Sequence, residues 1–389
     1  MVKGKKTGKA SVQAKVGGKK LVCKVTVTKK AKGQVIPTNT PSVTKQPTAI
    51  ATEQETNVPM ATVLPTVTVN PTPTPTTKPE PIRAILEFSE DGNSDIGCQN
   101  KSEATFAVIP NGVDEIGSQA FYGCSGLASI SIPASVTGIG SWAFSNCSGL
   151  TSISIPDSVT WMDEGVFFEC SSLTSIRIPN GIKQIGSFAF DGCSGLTSVS
   201  IPDGVTEIGD GAFHDCIGLT SVSMPDSLRT IEGRSFWGCS GLTSIIIPAS
   251  VTKIEDGAFH DCSGIEEIRV DENNTVYRCE NNCLIETGSN TLIIGCKNSV
   301  IPDSVMEIGN DAFSGCRGLT SINIPYGVTE IGAEAFCACS GLTSISIPTS
   351  VTEIGSYAFS GCDKLTEIHW NGKQYSNFDE FYKAFQEKN

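Results

Sequence analysis

A chain of 389 residues with 39% hydrophobic and 7% aromatic side chains can bury a sizeable core, whereas no run reaches the ~18–20 apolar residues of a membrane-spanning helix. Direct membrane insertion by such a helix is therefore excluded. The net charge of −13 is uneven, because residues 1–33 hold eleven Lys and no acid while the remainder holds 17 bases against 41 acids. So acidic a body repels nucleic-acid phosphates and anionic lipid surfaces, and neither is an expected partner.

Residues 1–33 alternate apolar and polar from Ala10 to Val16 and again from Leu21 to Val27, around Gly17-Gly18. That pattern predicts a β-hairpin. A lone hairpin is marginal in water, so the segment is expected to close a larger β domain. Its G-K-A-S-V-Q-A-K-V-G-G-K and C-K-V-T-V stretches resemble the last strands of a bacterial immunoglobulin-like domain of the intimin/invasin type. The resemblance implies that the Lys residues are the polar faces of two strands and not a nucleic-acid-binding arm.

Residues 34–81 carry ten of the chain's twenty Pro, several next to Thr (Pro71, Pro73, Pro75). Such a composition cannot offset the entropy of folding, and Pro favours extended polyproline II, so a disordered, semi-rigid spacer is predicted.

From Pro110 the sequence becomes periodic. Pro recurs at 110, 133, 156, 179, 202, 225 and 248, then at 302, 325 and 348, a 23-residue period broken once. A fixed period of this kind predicts a solenoid whose units bury their apolar faces only against each other. In the unit around Pro156, Ile153 and Ile155 point inward from a short strand while Ser152 and Ser154 point out, and Pro156 ends the strand for want of an N–H. Gly140 and Gly186 are read as turn glycines. Phe recurs three residues before Cys in all ten regular units, from Phe121 and Cys124 to Phe359 and Cys362. The predicted fold is an α/β repeat solenoid: a right-handed superhelix of parallel strands with short helical or 3₁₀ segments on the opposite side. Its core holds a stacked Phe column beside a ladder of buried, unpaired thiols.

Residues 82–109 are expected to form an N-terminal cap with strands near Ala84–Phe88 and Thr105–Ile109, and the solenoid to run over 82–375. Pro248 and Pro302 lie 54 residues apart, one period plus a longer unit. The extra length, at 271–299, predicts added strands at Thr275–Arg278, Cys283–Glu286 and Thr291–Ile294. Cys279, Cys283 and Cys296 fall off the thiol ladder and are the better disulfide candidates. Residues 376–389 are expected to cap the end as a helix with Phe378, Phe381, Tyr382 and Phe385 on one face.

The unit C-S-G-L-T-S-I-S-I-P-D-S-V-T-E-I-G-S-Y-A-F resembles, nearly position for position over 110–370, the BspA-like (Treponema-type) leucine-rich repeat. The insertion resembles a hairpin found in that family, where its three cysteines are unusual. The resemblance implies an exported bacterial surface protein, adhesive in several relatives, with no family-wide binding residue to transfer. Met1-Val-Lys-Gly-Lys-Lys lacks the apolar stretch of a signal peptide, which implies either a start inside a longer secreted protein or a gene start assigned too far downstream.

No motif for nucleophilic catalysis, nucleotide phosphate or metalloprotease zinc is present, so no catalytic residue, cofactor or metal ligand is assigned. His214 and His260 share an A-F-H-D-C context two units apart and read as solvated loop residues, the other reading being a weak metal contact through Asp215 or Asp261. Glu307, Glu330 and Glu353 share one offset and form either a solvated acidic edge or a site for a divalent ion or basic partner. Outward strand positions are mostly Ser and Thr, which suit a soluble strand. The exceptions Arg177, Ile246, Glu266, Glu267, Arg269 and Asn323 are the candidate partner-binding residues. Trp142, Phe188 and Tyr357, with Trp161 and Trp237, offer either ligand contact or edge packing. The functional expectation is a non-enzymatic, extracellular protein that binds a protein or glycan ligand. Its alternatives are a passive spacer or self-associating scaffold, and the targeting module of a larger secreted enzyme.

Overall fold

A computed structural model describes residues 8–16, 19–27, 80–87 and 97–388. Strands Gly8–Val16 and Lys19–Val27 pair antiparallel, with Gly8 opposite Val27 and Val16 opposite Lys19. This hairpin belongs to a different compact unit from the solenoid. The predicted spacer lies outside the described residues except at its last two positions, and so do the remaining residues of the 1–33 segment.

The second unit is a β-solenoid of about twelve turns. Its front ladder is built from short parallel strands offset by the period: Ser152 lies opposite Ser175, Ser198 opposite Ser221, Ser244 opposite Glu267, and Ser321 opposite Ser344. Alternation along each strand buries the middle residue and exposes its neighbours, as with buried Ile153 between exposed Ser152 and Ser154. A second ladder of two-residue strands follows after the Pro turn, with Glu207, Thr230 and Lys253 in register.

The third side corrects the expectation of helical or 3₁₀ segments. The N–H groups of Ala120, Tyr122 and Cys124 close tight turns on the carbonyls of Gly117, Gln119 and Phe121. Those of Gln119, Phe121 and Gly123 instead reach along the axis to Ser141, Ala143 and Ser145 of the next coil. Gln119 (φ 61°) and Gly123 (φ 75°) are left-handed, and the same two positions are left-handed in the following coils. A helix cannot propagate through residues of that hand, so a back ladder of stacked turns results. Gly140 and Gly186 serve a different purpose from the turn expected of them. A Cβ on either would lie 2.7 Å from the backbone of the preceding coil, so Gly is required for close approach.

Inside, Phe rings from Phe121 to Phe259 stack at 5.1–5.5 Å with interplanar angles of 6–12°. Near-parallel rings at separations beyond the ~3.5–4.0 Å of carbon contact are offset, the favoured arrangement for aromatic quadrupoles. Eight of the ten ladder thiols donate to the carbonyl of the Phe one coil back, as Cys147 does to Phe121 (3.2 Å) and Cys262 to Phe236 (3.0 Å), while Cys316 donates to the Gly295 carbonyl. Burial pushes the Cys316 thiol up to about 12, so the ladder stays protonated. The fifteen cysteines from Cys98 to Cys362 are free, including the three proposed for disulfides.

The added strands are Tyr277–Glu280, Cys283–Glu286 and Thr291–Ile294, an antiparallel set whose last member joins Glu307–Ile308 in parallel. Their alternation divides the core. Leu284 and Ile294 pack with the preceding coils, whereas Cys283, Ile285 and Leu292 pack with the following ones. The hairpin is thus a septum between two hydrophobic blocks. At the far end Asn377 Oδ1 accepts the Glu380 N–H at 2.9 Å and caps the helix Phe378–Lys388. This is the sole helix among the described residues; Phe381 is fully buried, and Phe378 lies 5.0 Å from Phe359.

Candidate functional site

Four of the six candidate residues come together on the front ladder just before the septum. Ile246 lies opposite Arg269 in strands Ser244–Ile247 and Glu267–Val270. Arg269 donates to Glu267 at 2.6 and 2.8 Å, and Lys297 of the insertion donates to Glu266 at 2.6 Å, holding that carboxyl below its usual range. Asn323 is exposed on the strand Ser321–Asn323, beyond the insertion. Arg177 stands apart, three strands before Ile246 and paired with Asp157 at 2.7 Å. Sequence reading missed Val300. It precedes Pro302 as Asn323 precedes Pro325, and it is 66% exposed, with Ile246 at 56%. Its signal was an apolar residue at an outward offset. Ile246 and Arg269 are therefore in register before the insertion, whereas Val300 and Asn323 hold the same outward offset beyond it, with Asn281 and Asn282 of the hairpin turn standing between the two pairs.

The interruption builds a second feature on the back. Gly295 takes the ladder position that Phe holds elsewhere, its N–H donating to Ala312. A Cβ there would sit 2.0 Å from the Phe313 ring, which fills the space. Between Ile294 and Cys296 the coil has no back turns. No backbone carbonyl accepts from the N–H groups of Phe259 or Asp261, although Phe213 and Asp215 donate to the next coil. Side chains bridge the gap instead: Asn310 donates to Asp256 (2.9 Å), Arg317 to Asp261 (2.8 and 3.0 Å), and His260 Nδ1 lies 2.7 Å from Asp311 Oδ1. A cavity of about 310 Å³ remains, lined by five carboxylates (Glu255, Asp256, Glu286, Glu307, Asp311) and His260, with no Lys or Arg.

His260 is not the solvated loop residue that its A-F-H-D-C context suggests. It is 8% exposed, stacks on Trp237 at 3.8 Å and places Nε2 3.2 Å from Ser314 Oγ. His214 is half-buried, with Nδ1 at 3.0 Å from Asp191; burial raises that Asp despite the imidazole beside it. The missing back turns create this difference, since they free His260 to reach a later coil. The readable signal was the absence of a Phe between Phe259 and Phe313.

Glu307, Glu330 and Glu353 lie directly opposite one another in the second ladder. Burial and the two flanking carboxylates raise Glu330 above its ordinary value. Of the aromatics, Tyr357 is 73% exposed, whereas Trp142 packs edge-on against Phe168 and Trp237 lies under His260.

The chain is similar to a leucine-rich cell surface protein from Faecalibacterium prausnitzii A2-165, at 31% identity over 74% of this chain and 93% of that one, with a TM-score of 0.55. A leucine-rich repeat protein from Bacteroides ovatus ATCC 8483 matches at 31% identity over 73% and 92%, with a TM-score of 0.47. The pneumococcal vaccine antigen PcpA matches at 18% identity over 74% and 82%, with a TM-score of 0.46. No curated protein matches the chain. The BspA type leucine rich repeat region matches residues 96–197, 183–304 and 295–385, and the chain belongs to that family.

Proposed function

We propose that this chain is a non-enzymatic cell-surface or secreted protein that binds an extracellular protein or glycan through the front of its solenoid. The observation that carries the reading is exposed Ile246 in register with Arg269 on an otherwise hydroxyl-rich ladder, with exposed Val300 and Asn323 at the same outward offset beyond the insertion. Glu266 and Glu267 border it as an ion-paired rim. Exposed apolar groups beside Arg, within a polar surround, have the composition of an interaction hot spot. Arg177 marks a secondary contact further along the same face.

Similarity to a cell-surface protein and membership of the family support the surface location. Among the described residues no helix is long and apolar enough to cross a membrane. In this reading residues 34–81 hold the solenoid of residues 82–375 away from an anchor, and residues 1–33 are the closing fragment of an immunoglobulin-like domain. The helix after residue 376 shields the last coil.

The test is binding of the full chain to immobilised purified matrix proteins and to a glycan array. A ligand retained by the native chain and lost by Ile246→Ser with Arg269→Ala supports the proposal. Silence of the folded chain on both surfaces contradicts it and favours the passive spacer or self-associating scaffold.

A further inference from the structure

His260, Asp311 and Glu334 belong to three coils on both sides of the septum, yet one potential ligand atom from each lies within 4.8 Å of the others. We propose that these three side chains bind one divalent transition-metal ion of the zinc class, and that the ion ties together the two hydrophobic blocks where the back ladder is broken. Bond lengths of ~2.0–2.2 Å to His nitrogen and carboxylate oxygen set neighbouring ligand atoms about 3–3.5 Å apart in a tetrahedron. The His260–Asp311 pair at 2.7 Å opens slightly to meet that, and half-buried Glu334 closes on it by rotation of its side chain. Water completes the coordination.

The imidazole is oriented before any ion arrives. Trp237 covers one ring face, and Ser314 meets Nε2 while its hydroxyl lies 3.4 Å from the Cys337 carbonyl. With Ser314 donating to Cys337, its oxygen accepts Nε2–H, and the Nδ1 lone pair faces the Asp311 carboxylate. That juxtaposition requires a proton or a metal ion between them. A partner fixing the far ring nitrogen is the usual support of a metal-bound His. With the hydroxyl turned to Nε2, the pair is satisfied without an ion, but Glu334, a third group within 4.8 Å, then has no ion-pair partner among the described residues. The adjoining cavity is walled by five carboxylates, of which Glu255 pairs with Lys253, and the other four add an electrostatic preference for a cation. An imidazole among the ligands selects zinc-like ions over calcium or magnesium.

The test adds zinc chloride to the chelator-treated full chain in calorimetric titration and thermal melting, with cobalt as a visible probe. One ion per chain, a Tm raised by roughly 2–4 °C at saturation and cobalt bands without thiolate charge transfer are expected. Glu334→Gln, a half-buried change compatible with the native fold, should abolish the shift, as should His260→Gln. Ser314→Ala should weaken binding about 10- to 100-fold. Absence of zinc binding, binding unchanged in Glu334→Gln, or a thiolate band assigning the ion to cysteine would each overturn the proposal. An equal shift with calcium would overturn the choice of metal.

Discussion

The regular coils and the interrupted coil differ most on the back of the solenoid. In a regular coil such as Gly209–Cys216 the back turns donate three N–H groups to the next coil and place Phe213 between two rings at 5.2 and 5.3 Å. In the interrupted coil the turns are absent and Gly295 replaces the ring. The gap is crossed only by polar side chains. Repeat geometry supplies stability automatically wherever it is kept. Where it is dropped, individual chemistry appears: a buried His, an acidic cavity, and on the front exposed Ile246 and Val300 in place of Ser. Functional invention in a solenoid is thus concentrated where the period fails.

The comparison breaks most visibly at Phe190, fully buried between two rings. Phe190→Ala should cost about 3–5 kcal/mol in denaturant unfolding, because neighbouring coils cannot collapse into the void. Gly295→Ala should cost less, about 1–3 kcal/mol, by overpacking against Phe313. An unchanged midpoint in Gly295→Ala would mean that Phe313 does not fill the vacated place in the stack.

The smallest effect belongs to the acidic file. Glu330 titrates higher in the folded chain than when unfolded, so folding favours its protonated form. The favourable contribution is complete below the unfolded value and is lost as pH rises through the folded one. Glu330→Gln should therefore stabilise the protein at pH 7, by no more than about 0.5 kcal/mol at so exposed a site, and change nothing at pH 3. Equal melting of the two proteins at pH 7 would show that solvent screens the file completely.

The Phe and Cys columns were readable because stacking repeats one environment, and a single residue type satisfies it in each coil. The turns of the third side were misread as helical because Ala-Phe-x-x-Cys has helical spacing, and the left-handed residues before and after Phe are mostly not Gly. Trp142, Phe188 and Tyr357 carry positive φ with bulky side chains, a choice that backbone propensity does not predict. Candidate residues close in sequence to the insertion were brought together, but His260 was not recognised. Its partners lie 51 and 54 residues away, across a gap whose depth depends on how far the coils close.

Amide hydrogen exchange across the back ladder tests the central contrast most directly. The account predicts that Phe259 and Asp261 exchange far faster than Phe213 and Asp215, their counterparts two coils earlier, because only the latter pair has carbonyl acceptors in the next coil. Equal protection of the two pairs would contradict it, since the ladder would then be continuous through the interruption.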